Sequence, residues 1–218
     1  MKRLTRVVAA LSLALCLVLA LGAFAAAANL EMTVPKVKKA PAIDGKLSDA
    51  AWLEASIKGG KTVVDLDNNG IMLTEYPRIA YICYDDTALY IAFRIFAPDV
   101  NKLMTTAGSV WSNDEVEIFL EPNKKGAYTQ WGIDAGGVLD SSDASKKIEH
   151  AISKSGIIWN VETAIPWKTV GVTPKVGDKW GLNFCGHQIA AGAVWVCWNC
   201  TFGGFHNPGG FGTIVFGD

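Results

Sequence analysis

The chain has 218 residues with 20 basic and 21 acidic side chains, a formal net charge of −1. Lys2, Arg3 and Arg6 lead into an apolar run from Val7 to about Phe24 and then Ala25 to Ala28, the pattern of a secretory leader cleaved near Asn29. The leader takes three basic residues and no acidic ones, so residues 29–218 carry 17 against 21, net −4, which argues against nucleic acid as a partner. No later segment is long and apolar enough to span a bilayer, so no membrane partner is expected once the leader is removed.

In chain order, strand-like runs cover Thr33 to Lys38, Lys61 to Asp65, Arg78 to Tyr84, Ala88 to Ala97, Asp114 to Glu121, Tyr128 to Asp134, Ile148 to Ser153, Ile157 to Ile165, Trp180 to Ile189, Val194 to Thr201 and Gly212 to Phe216. Asp85-Asp86-Thr87 reads as a hairpin loop, and Gly136-Gly137 and Ser155-Gly156 mark two more reversals. Helical signal is confined to a capped segment at Ser48-Asp49-Ala50-Ala51-Trp52 and a turn opened by Pro166. No linker-like composition or internal repeat divides residues 29–218, which are expected to form one all-β domain. Its predicted architecture is a two-sheet antiparallel, jelly-roll-like sandwich with one or two short helical turns.

The stretch Trp111-Ser112-Asn113-Asp114-Glu115-Val116-Glu117-Ile118-Phe119-Leu120-Glu121 carries the functional signal. Strand periodicity sends Val116, Ile118 and Leu120 to a core and puts Glu115, Glu117, Phe119 and Glu121 on the other face. A Trp plane suits the C–H face of a pyranose, and a neighbouring carboxylate accepts hydrogen bonds from its hydroxyls. The plainer alternative is a rim or core Trp beside solvated carboxylates.

Ala42-Ile43-Asp44-Gly45-Lys46-Leu47-Ser48-Asp49-Ala50-Ala51-Trp52 and Tyr84-Asp85-Asp86-Thr87-Ala88-Leu89-Tyr90-Ile91-Ala92 look like the opening of a family 9 carbohydrate-binding module. Trp111 to Glu121 resembles that family's sugar-site strand. Val161-Glu162-Thr163-Ala164-Ile165-Pro166-Trp167, and Phe205-His206-Asn207-Pro208 followed by Phe211-Gly212-Thr213-Ile214, are similar to its later segments. The resemblance covers about residues 34 to 216. It implies a non-catalytic module of the DOMON-like sandwich superfamily that grips the end of an oligo- or polysaccharide between two aromatic planes. Such modules are associated with glycoside hydrolases and carbohydrate catabolism, and some carry calcium. Trp111 matches the first aromatic, Glu117 a hydroxyl-binding carboxylate, and Phe205 the second aromatic, usually Trp. Gly132 and Asp134 match an Arg and an Asn of sugar-binding members. Losing the Arg removes a forked donor, so a different sugar, or a sandwich that has become an interaction domain of the cell surface, is the alternative.

Asp65-Leu66-Asp67-Asn68-Asn69-Gly70 resembles the first half of an EF-hand loop, making Asp65, Asp67 and Asn69 candidate ligands for a structural calcium ion. Cys83, Cys185, Cys197 and Cys200 are an even set, as in disulfide-bonded secreted chains. In a regular strand Cys197 and Cys200 would face opposite sides, whereas Cys83 and Cys185 suit cross-strand pairing. No nucleophilic triad surrounds His150, His187 or His206, and Glu115 and Glu117 would lie on one side of a bound sugar rather than flank a glycosidic bond. Met72 and Met104 are the only candidates for the axial haem ligation known in related sandwiches, and neither has a neighbouring His. Trp52, Trp159, Trp167 and Trp180 read as core. Trp131 is unassigned, and either Trp195 or Trp198 could line the groove, since they point to opposite faces of one strand.

Overall fold

The computed structural model describes residues 29–218, so the leader lies outside the described residues. Twelve strands form one continuous ladder: β1 (Glu31–Val34), β2 (Lys61–Asp67), β3 (Leu73–Tyr84), β4 (Ala88–Phe96), β5 (Glu115–Glu121), β6 (Thr129–Asp134), β7 (Leu139–Ser141), β8 (Glu149–Ser155), β9 (Ile158–Pro166), β10 (Lys179–Gln188), β11 (Val194–Cys197) and β12 (Gly212–Phe216). The order is β7-β6-β5-β10-β11-β2-β3-β4-β9-β8, with β12 also on β10 and β1 on β12. Every pairing named here is antiparallel except β1 with β12. A register shift between Val64 and Leu66 marks β2 beside the β11 junction, the kind of irregularity that lets a strand bend.

Alternation explains the two layers. Val116, Ile118 and Leu120 of β5, with Leu182 and Phe184 of β10, share one buried cluster with Ala80 and Ile82 of β3 and Leu89, Ile91 and Phe93 of β4. Phe184 meets Phe93 edge to face, ring centroids 5.2 Å apart, across that interior. The sandwich and nearly all of its predicted strands are therefore present. The differences are local. β11 stops at Cys197, short of the predicted Thr201, and the three-residue β7 was not anticipated.

Helix α1 (Ala50–Ile57) packs mainly on the outer face of β3, burying Trp52 and Ala55 in a cluster with Val37, Cys83, Tyr90 and Ala92. Its N-cap is Asp49, whose side chain makes no capping bond, contrary to the capped segment read from sequence. What fixes this region is Glu162 on β9. It accepts hydrogen bonds from the Asp44 and Gly45 amides at 3.0 and 2.7 Å and from Trp52 Nε1 at 2.7 Å. Burial pushes the Glu162 carboxyl upward, and its bond from the Trp52 indole opposes this. At Gly45, φ is +82° and an added Cβ would stand 2.7 Å from the Ile152 carbonyl, so glycine is required there. The Asp85 turn is built as predicted. The Asp85 carboxylate accepts from the Thr87 and Ala88 amides and from the Tyr90 hydroxyl. Helix α2 (Trp167–Val170) follows Pro166 and ends at Gly171 in the left-handed region.

Candidate functional site

The site lies on the outer face of the first layer. Directly opposed residues of an antiparallel ladder share a face. Gly132 faces Glu117, which faces Cys185, which faces Cys197. One step along, Asp134 is opposite Glu115, and His187 is opposite Trp195. Trp111, on a short 3-10 turn at Val110–Ser112, is half-buried over β6. A Cβ on Gly132 would be 2.5 Å from Trp111 Cζ3 and 2.9 Å from Cη2, so the indole occupies the space above this glycine. Trp111 Nε1 donates to Asp140 Oδ2 of β7 at 3.1 Å, fixing the ring from its other edge.

The loop before β5 is held by polar side chains. Asn113 Oδ1 accepts from the Ala107 amide at 2.9 Å, and Asp114 Oδ2 accepts from the Met104 amide at 2.7 Å. Asn113 Nδ2 donates to Asp134 Oδ2 at 2.7 Å, while Asp134 Oδ1 accepts from the Gly136 and Val138 amides at 2.9 and 2.8 Å. Asp134 is buried with both oxygens occupied. Its expected role toward sugar hydroxyls is corrected: it braces the β6–β7 turn and the Trp111 loop.

The acidic face of β5 is also corrected, from solvated to buried. Glu117 accepts a short hydrogen bond from Gln130 Nε2 under the Trp111 side of the face. Glu115 Oε1 accepts from the His187 amide at 2.6 Å, and the buried Oε2 has no hydrogen-bond partner. Burial and the neighbouring Glu117 push the Glu115 carboxyl well above the ordinary glutamate value, with Arg78 pulling the other way. Burial raises Glu117 too, opposed chiefly by its bond from Gln130. Arg78, fully buried on β3, crosses the interior beside Gly186 and donates to the Cys185 and His187 carbonyls at 2.9 and 3.0 Å. Its positive charge faces the acidic pair from below.

Phe205 is only 8% exposed. It packs edge to face on Phe119 at 6.3 Å, in a cluster with Phe211, Cys185 and Cys197. The expectation of a presented second plane is corrected, because Phe119 and Phe211 draw this ring into a small core of their own. The aromatic left open on this side is Trp195, 37% exposed, stacked on His187 at 3.8 Å and 4°. Trp131 and Trp198 are core. Sequence reasoning missed Gln130, Asp140 and His187. Gln130 was available from strand alternation, which puts it on the same face as Gly132 and Asp134.

Of the three residues expected at a calcium site, Asp67 is engaged by its own loop. Its Oδ1 accepts from the Ile71 and Met72 amides at 2.6 and 2.8 Å, and Oδ2 from the Asn69 amide at 3.3 Å. These bonds, that from Met72 foremost, hold its carboxyl below the ordinary aspartate value. Asp67 is a loop brace. Among the described residues no group of three or more His, Cys, Asp or Glu side chains is arranged to hold a metal. Met72 and Met104, the methionines weighed for haem, are exposed.

Cys83 lies under α1 on the outer face of the second layer, while Cys185 is on the outer face of the first, so these two are not neighbours. Cys197 and Cys200 instead converge, both thiols approaching the Asp67 carbonyl at 3.8 and 3.9 Å, because the strand ends between them. All four are thiols in this structure.

A family model described as carbohydrate family 9 binding domain-like matches residues 43–218. The chain belongs to this family. Family 9 modules bind carbohydrate and are not enzymes, which removes any catalytic reading of Glu115 and Glu117. Two solved structures of a family 9 carbohydrate-binding module from Caldicellulosiruptor kristjanssonii, in complex with cellotriose and with glucose, share the fold. Each is 18% identical with a TM-score of 0.70, covering 86% of this chain and 93% and 96% of the respective module. No curated protein matches the chain.

Proposed function

We propose that this family 9 module is exported and binds a glycan chain end without chemically altering it, on the outer face of the first layer. Trp111 supplies a stacking plane, and Glu117 with Gln130 forms the polar floor. The observation that carries this reading is the position of Trp111: half-exposed, seated on Gly132, pinned by Asp140, and beside a buried carboxylate–amide pair. A ring immobilised before the ligand arrives has little freedom left to lose on binding. The cellotriose and glucose complexes of the Caldicellulosiruptor kristjanssonii module support a β-glucan end as the first ligand to try. The basic, apolar, alanine-ended leader supports export.

The inward turn of Asp134 and Phe205 favours the rival reading, an interaction sandwich without a sugar site. Calorimetric titration of the purified domain with glucose, cellobiose, cellotriose and xylobiose separates the two. Saturable heat with any of them is the expected result. Silence from folded protein across the panel refutes the proposal for these sugars and favours the rival.

A further inference from the structure

Resting on the carbohydrate reading above, we propose that the stacked pair His187–Trp195, and not Phe205, forms the second aromatic wall of the sugar site. Phe205 and Trp195 are in contact, with ring centroids 5.7 Å apart at 70°, yet only Trp195 reaches solvent to a useful extent. Phe205 is instead taken up by the packing around Phe119 and Phe211.

The placement follows from register. His187 and Trp195 occupy directly opposed positions on neighbouring strands, and their rings are parallel at a separation of 3.8 Å. Neighbouring strands are about 4.8 Å apart, so rings this close and this parallel face each other across the strand gap and project from the sheet. The imidazole face turned away from Trp195 looks over β10 and β5 toward β6, where Trp111 sits on Gly132. From β6 to β10 is two strand spacings, roughly 9.6 Å, and His187 stands two residues, roughly 6.8 Å, farther along the ladder than Gly132. A sugar ring held at carbon contact distance from planes on both sides needs about 8 Å. The two walls therefore face each other diagonally across β5 with room between them for one pyranose, and Glu115 and Glu117 lie beneath it.

His187 adds polarity that Phe205 lacks. Its Nδ1 is buried without a hydrogen-bond partner, and the ring is half-exposed. Burial holds the imidazole below its ordinary value, so it is neutral at pH 7 and carries one donor and one acceptor. Nδ1 is closed off from solvent, so a sugar hydroxyl would meet the imidazole at Nε2, which donates or accepts according to the tautomer. The wall would thus take an uncharged pyranose of a chain end, using the Trp195 indole to hold the imidazole upright.

The test compares two variants with the unmodified protein by calorimetry against glucose and cellotriose. Trp195→Leu keeps apolar bulk against Phe205 and removes the plane that backs His187. Its affinity should fall about tenfold or more, the scale of one lost aromatic contact, with its melting temperature little changed. Phe205→Leu keeps core volume and should bind within about twofold of the unmodified protein. If Trp195→Leu binds normally, the inference is overturned while the carbohydrate reading stands. If Phe205→Leu alone loses binding without unfolding, Phe205 is the wall and the inference again fails. Absence of binding by the unmodified, folded protein overturns both.

Discussion

Glu115→Gln should flatten the pH dependence of stability. Glu115 is 0% exposed, receives one hydrogen bond from the His187 amide, and leaves Oε2 without a donor unless it carries a proton. Burial and Glu117 raise its folded-state value well above 4.5, despite the opposing charge of Arg78. Between the unfolded and folded values the native state binds a proton that the unfolded chain does not. Stability from this group is therefore fully present below about pH 4.5 and is lost as pH rises through the folded value. The limiting slope for one proton is about 1.4 kcal/mol per pH unit. His187, held low by burial, acts with the opposite sign, its contribution increasing as pH rises toward 6.5 and above. Glu117 and Glu162, both raised by burial, share the sign of Glu115. Gln at 115 keeps the size of the side chain, and it removes one titration while leaving the others in place. Urea unfolding of both proteins from pH 4.5 to 7.5 should give a steeper fall for the wild type by up to that slope, with Glu115→Gln the more stable at pH 7. Parallel curves would refute a raised Glu115.

Trp111→Ala should remove detectable sugar heat in calorimetry while lowering the melting temperature only slightly, since the ring is half-exposed and its one hydrogen bond is to exposed Asp140. Gly132→Ala places a methyl 2.5 Å from the Trp111 ring and should cost about 1–3 kcal/mol by denaturant unfolding. It should also weaken sugar binding as the indole is displaced. Asp67→Ala should lower the melting temperature equally with and without added calcium, because the groups it satisfies are the Asn69, Ile71 and Met72 amides. A shift seen only with calcium would restore the metal reading.

Periodicity made the interior of the sandwich legible. The residues assigned inward on β5, Val116, Ile118 and Leu120, are in the shared core, and Trp159, Trp167 and Trp180 are there as well. Alternation says which residues share a face, and it is silent on what covers that face. Glu115, Glu117 and Phe119 were read as outward, which is geometrically right, yet they are buried because Trp111, Gln130, Phe205 and Phe211 close over them. Those covering residues come from loops and strands up to 96 positions away, beyond any local pattern. The early end of β11 has a similar cause. Trp198 turns into the core and Asn199 exchanges hydrogen bonds with Asn183, so the chain leaves the ladder where the alternating sequence would have continued it. β7 was missed because Leu139-Asp140-Ser141 is too short to show a period, although Asp140 is what holds Trp111.

Gly132 and Trp111 are best understood as one feature. A long cationic side chain at position 132 would fill the space the indole occupies, so the fork of an arginine and this seat for Trp111 exclude each other. Taking the glycine gives up a charge-assisted donor and gains contact between the ring and the strand. Recognition then rests on aromatic surface and neutral hydrogen bonds, with the nearby carboxyls already committed to Gln130 and the His187 amide. Covering roughly 100 Å² of apolar ring surface contributes about 2.5 kcal/mol gross per wall, before the loss of ligand freedom is counted. Two such walls and a few hydrogen bonds correspond to dissociation constants on the order of millimolar to micromolar. Since no exposed cation of the protein is used, that affinity should hold between low salt and about 0.5 M salt, where charge-steered binding would be screened.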